Sequence, residues 1–107
     1  MGVFKIYRDP FDRSRNKAWN RSKSQAHFRG EEWNLTFDDY RKFWSTPELW
    51  ARRGRRIDDL CMTRLDDELP WNSKNCVIIT RHNQLHMKND RRMGRDISQY
   101  FADAIRL

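Results

Sequence analysis

Between residues 60 and 90 the sequence gathers side chains able to handle a phosphate, a proton or a metal ion: Arg64, Asp66, Asn75, His82 and His86. His82 and His86 are four positions apart and share one face of any helix that carries them. A neutral imidazole can take a proton from water or hold a divalent cation, and Asp66 adds a carboxylate of the kind hard cations prefer. Arg64 suits neither task. Its guanidinium stays protonated at neutral pH and presents a planar fork of donors that fits a phosphate. The plainer reading of both histidines is a structural or surface role, and of Asp66 a loop cap. Cys61 and Cys76 complete the set of zinc-type ligands with the two histidines, but spacing argues against zinc. If 60–65 pairs antiparallel with 75–80, Cys61 falls near Thr80 and Cys76 near Leu65, roughly 13 Å apart at the strand rise per residue. Zinc–sulfur bonds of about 2.3 Å cannot span that distance, and there is no C-x-x-C.

The elements that would position these residues can be read from caps and periodicity. "NCVIIT", residues 75–80, is a β-branched run and predicts a strand. Residues 60–65 predict its partner, with Pro70 and Asn72 in the loop between, and Thr80 can cap a helix running to about Arg92. Upstream, Asp9-Pro10 is a helix start and Gly30 a stop, which predicts a polar helix over 10–30. Arg13, Lys17 and Arg21 recur every four residues on it and form a basic face. The aromatic residues Phe37, Tyr40, Phe43 and Trp44 fall on one side of a helix capped by Thr36, and Thr46-Pro47 restarts it, so 36–53 reads as aromatic core helices. "RRGRR", residues 52–56, predicts a flexible and intensely positive loop carrying Arg52, Arg53, Arg55 and Arg56. In the segment 95–107, Ile97, Tyr100, Phe101, Ala104 and Ile105 have helical spacing, which predicts an amphipathic helix packed on the core or on a second copy of the chain. The opening "VFKIY" reads as a short strand or an extended arm.

Length and composition narrow the class. The chain has 107 residues, enough for one domain spanning 1–107. Its 14 aromatic residues (five Trp, six Phe, three Tyr) are too many for a disordered chain. With 22 Lys and Arg against 15 Asp and Glu the formal charge is +7, which suits a polyanion, most simply nucleic acid. No apolar run approaches the roughly 20 residues that cross a bilayer. The first residues are too polar for a signal peptide, so the expectation is a cytoplasmic protein with reduced cysteines and no membrane partner. Walker-type loops and G-x-S-x-G elbows are absent from the sequence.

The stretches "EEWNLTFDDYRKFW", "RGRR" and "MTRLDDELPWNSKNCVIITRHNQ", covering about residues 33–89, resemble the HNH (His-Me finger) endonuclease-like proteins of bacteriophages and mobile elements. The resemblance implies an α+β fold with a ββα element over 60–92. In members that cut, a His ending the first strand is the general base, one metal ion held by strand and helix stabilises the leaving oxygen, and an Asn opening the second strand ties the loop. Asn75 matches that Asn. Arg64 stands in place of the His.

The expectation is therefore a phage-type DNA-binding protein on a degenerate nuclease frame, weak or inactive as an enzyme, in the cytoplasm of an infected cell. Arg13, Lys17, Arg21, Arg52, Arg53, Arg55, Arg56 and Arg64 are its candidate phosphate contacts. Arg64, Asn75, His82 and His86 are the remnant catalytic set, with Asp66, His82 and His86 the candidate ligands of Mg or another divalent cation should it cut. The alternatives are an accessory protein that binds and redirects a host protein, and an active metal-dependent endonuclease. A homodimer through the C-terminal stripe is a further expectation.

Overall fold

The computed structural model describes residues 7–107, so most of the "VFKIY" segment lies outside the described residues. Helix α1 spans Pro10–Phe28, with the Asp9 carboxylate accepting from the Asp12 N–H and Pro10 in the first turn. It ends where Gly30 takes φ 75°, a conformation that costs glycine little. Helices α2 (Phe37–Phe43) and α3 (Pro47–Ala51) begin where Thr36 and Thr46 each accept an N–H three residues on, from Asp39 and Leu49. These two short helices carry the aromatic core. Phe37, Tyr40, Phe43 and Trp44 are buried, and Trp50 meets Tyr40 and Trp44 edge-on. Arg15 ties α1 to this layer. It is buried, donates to Trp44 O (2.9 Å) and Arg41 O (3.2 Å) at the end of α2, pairs with Asp12 and lies over the Phe11 ring.

Strands β1 (Leu60–Arg64) and β2 (Cys76–Thr80) pair antiparallel, and helix α4 (Arg81–Arg92) follows at once, capped by Thr80. The architecture is a small α+β fold. The register places Cys61 opposite Ile79 and Arg64 opposite Cys76, one residue along from the expected pairing. Alternation then divides the sheet. Leu60, Cys76 and Ile78 face the aromatic helices, while Val77 and Ile79 face α4 through Met87. Strand β2 is buried on both faces, which accounts for its unbroken apolar run.

The C-terminal segment departs from the expected helix. Only Ser98–Phe101 forms a 3₁₀ turn, and Ile105 then pairs with β2: its N–H and C=O exchange bonds of 2.9 Å each with Ile78. Otherwise the outer N–H and C=O of Ile78 would be buried without partners, a cost that outweighs helical periodicity. The apolar stripe is split accordingly. Ile97, Tyr100 and Ala104 pack around Phe101 and Met87, and Ile105 joins the aromatic side. These residues are thus packed within the chain, and the expected amphipathic helix over 95–107 is replaced by the short 3₁₀ turn. The 52–56 loop is also less free than expected. Leu60 N–H donates to Arg52 O (2.8 Å), Gly54 N–H to Leu60 O (3.3 Å), and Asp59 caps the Arg56 N–H (2.9 Å), so the loop is bonded onto the start of β1. Among the described residues no helix is long and apolar enough to cross a membrane.

Candidate nucleic-acid interface

A groove of about 930 Å³ runs along the outer edge of β1. Helix α1 and the residue that caps its end give it Arg21 and Arg29, the loop Arg53 and Arg55, β1 Arg64, and α4 Arg81, Lys88, Arg91 and Arg92. Those nine cations face two acids, Glu31 and Asp67. Trp33, Trp50 and Trp71 also line it. The edge itself is open. Leu60 turns its N–H and C=O outward to residues 52–54, so by alternation Met62 and Arg64 turn theirs outward too. Among the described residues no backbone group pairs with them there.

At one end of the groove the hairpin loop is tied down by Asn75, which is 6% exposed. Its amide oxygen accepts from Asp66 N–H (3.0 Å), and its amide nitrogen donates to the carbonyls of Asp66 (2.9 Å), Pro70 (2.9 Å) and Leu69 (3.3 Å). Asn72 turns the chain just before it, its side-chain oxygen accepting from the N–H groups of Lys74 and Asn75. Arg64, with a side chain 12% exposed, donates to Leu69 O (2.9 Å) and to Glu31 Oε2 (3.0 Å), its guanidinium 5.1 Å from the Trp71 ring centroid. The same carboxylate accepts from Arg29 (2.8 Å) and from Trp71 Nε1 (3.1 Å). Burial pushes the Glu31 carboxyl up, but the Arg29 and Trp71 hydrogen bonds and the charges of Arg29 and Arg64 outweigh it and hold it below the usual range.

The other expected site residues are not brought together around Arg64. Asp66 spends a carboxylate oxygen on the Glu68 N–H (2.9 Å), a turn within the loop. His82 and His86 lie against each other with tilted rings, centroids 4.3 Å apart, on an exposed face of α4 that does not line the groove. Among the described residues no three His, Cys, Asp or Glu side chains converge as metal ligands would. Cys61 and Cys76 fall on opposite faces of the hairpin. Burial raises both thiols, Cys76 to about 12, so they stay protonated at neutral pH.

Of the expected phosphate contacts, Arg21, Arg53, Arg55 and Arg64 line the groove; Arg13, Lys17, Arg52 and Arg56 do not. Arg13 instead bonds the carbonyls of Tyr7 and Arg8 (3.2 Å each). Sequence reasoning missed Arg29, Arg81, Lys88, Arg91 and Arg92. Their signal was present: Arg21, Gln25 and Arg29 continue the four-residue repeat of α1, and Arg81, Lys88 and Arg92 recur at seven and four on α4. The spacing alone does not say that those two stripes face each other across β1. No family model, curated protein sequence or solved structure matches the chain.

Proposed function

We propose that this protein binds nucleic acid, in the first place duplex DNA, along the β1 groove, on a ββα frame similar to that of the HNH (His-Me finger) nucleases and without cutting what it binds. One observation carries the reading: nine cations from four separate parts of the chain converge on one groove against two acids. Such a field draws in a polyanion and releases its counterions. The strand–loop–strand–helix order with Asn75 closing the loop supports the frame. The absence of cleavage follows from the residue types. Arg64 cannot serve as a base at neutral pH, and His82 and His86 lie off the groove. In this reading the protein is phage-encoded and acts in the cytoplasm of an infected cell.

The test is fluorescence anisotropy with a labelled duplex across a salt series, run beside plasmid incubation with magnesium or manganese. The expected result is binding whose log K falls with log salt by about 0.9 per phosphate neutralised, with plasmid left intact. Salt-independent binding or none overturns the interface. Metal-dependent nicking lost in His82→Ala or His86→Ala would make the chain an enzyme with a relocated base.

A second reading rests on the open edge of β1. The unpaired backbone groups of Met62 and Arg64 could take an added strand from an acidic segment of a host protein. Self-pairing of two such edges would bring two strongly positive grooves together. A host protein recovered by pull-down, with no affinity for DNA, would favour this reading over the first.

A further inference from the structure

The Glu31 carboxylate is held as a bound anion would be. It receives Arg29 Nη2 (2.8 Å) and Nε (3.1 Å), Trp71 Nε1 (3.1 Å) and Arg64 Nη2 (3.0 Å). Guanidinium forks match carboxylate and phosphate alike. We propose that Arg29, Arg64 and the Trp71 indole N–H form a phosphate subsite at this end of the groove, in which Glu31 is the resident anion that a backbone phosphate of the bound nucleic acid displaces. The inference rests on the nucleic-acid reading above and names where one phosphate sits.

Two features make Glu31 displaceable while Arg64 stays aimed. Its backbone is pinned, the N–H donating to Ala26 O (2.8 Å) just after Gly30 leaves the helix at φ 75°. Only the side chain must swing, and that side chain is 22% exposed beside the groove. Arg64 is oriented independently of Glu31 by its bond to Leu69 O (2.9 Å) and by the Trp71 ring. Without an anion, a guanidinium this buried would be costly, so Glu31 stabilises the empty subsite and leaves when a phosphate takes over its donors. Asp67, the groove's other acid, is 53% exposed and stands 3.4 Å from Arg91, its one ion-pair partner among the described residues, a surface pair and not an enclosed one.

The experiment uses the full chain and two probes. Inorganic phosphate is titrated against the Trp71 indole N–H resonance in ¹⁵N–¹H spectra, and duplex DNA is titrated by anisotropy. Glu31→Gln should bring the phosphate-induced shift to lower concentration and tighten DNA binding by about tenfold, the scale of one charge-assisted hydrogen bond. Asp67→Asn removes the same charge and should gain no more than about twofold. Glu31→Asp keeps the charge but falls short of the donors, and it too should bind phosphate more tightly than the parent. Adding Arg64→Gln to Glu31→Gln should abolish the gain. Equal gains from Glu31→Gln and Asp67→Asn, with Glu31→Asp unchanged, would reduce the effect to net charge and overturn the subsite. A phosphate response without DNA binding would fault the nucleic-acid reading instead. DNA binding that ignores Glu31 would fault the subsite alone.

Discussion

Single residues show how the same side-chain types divide between holding the fold and meeting a ligand. Asn75, which the proposed HNH-like reading counts in the catalytic set, makes four side-chain bonds to the loop backbone. Asn75→Ala should lower stability by about 1–3 kcal/mol in urea unfolding, because the part-buried loop carbonyls and the Asp66 N–H lose their partner. A loss below about 0.5 kcal/mol would show that water replaces the amide freely. Glu31 provides a pH signature. Its folded carboxyl is held below the usual range, so its contribution is present above the unfolded pKa of about 4.3 and is lost as pH falls through the folded value. The drop in urea midpoint between pH 6 and pH 3 should therefore be smaller in Glu31→Gln than in the parent. Equal drops would mean that Glu31 titrates alike in folded and unfolded chains. Arg64→His tests the proposed nuclease-like frame directly. It supplies a group that can accept a proton near neutral pH, but no ligand cluster surrounds it among the described residues, so plasmid should still survive with magnesium.

At the scale of elements, two connections carry more than their sequences suggest. The arginine loop is fastened to β1, and a Cβ at Gly54 would come within 2.1 Å of an Asp59 carboxylate oxygen. That oxygen caps the Arg56 N–H. Gly54→Ala should therefore cost about 1–2 kcal/mol by displacing the cap, and hydrogen exchange should quicken at Arg56 and Leu60. Unchanged exchange would mean that Asp59 moves aside freely. The C-terminal residues close the second edge of β2. Removing 102–107 exposes Ile78 and Ile79 and unpairs the Ile78 backbone. The truncated chain should lose protection at Ile78 first, and its melting temperature should fall by several degrees, about 4–8 °C per kcal/mol in a domain near this size. A dispensable helical tail would leave Ile78 protected.

For the whole molecule, the net charge of +7 matters less than its placement. Arg21, Arg55 and Lys88 reach the groove from three different segments and make no ion pair among the described residues. Reversing all three to Glu should weaken DNA binding and flatten the salt slope by up to roughly 3 units, about 0.9 for each phosphate no longer neutralised. Reversing Arg13 and Lys17, which lie outside the groove, changes net charge by four and should flatten the slope far less. If the two sets weaken binding equally, attraction is spread over the surface and the groove is not the interface.

The local parts of this account were legible in the sequence because short-range chemistry determines them. Asp9-Pro10, Thr36, Thr46 and Thr80 start helices through bonds within three residues. The β-branched run 76–80 makes its strand, and Asn75 closes the loop beside it. The register was nearly legible, missing by one residue. What lay beyond reach depended on partners distant in the chain. Ile105 abandons a helical pattern because a buried strand edge 27 residues earlier needs its backbone groups. Arg64 meets an acid 33 residues away, and the basic stripes of α1 and α4 become one surface only when both flank the open edge of β1. Periodicity reports which residues share a face. Which faces meet is decided by burying apolar area and pairing backbone across the folded chain, and no local spacing encodes that.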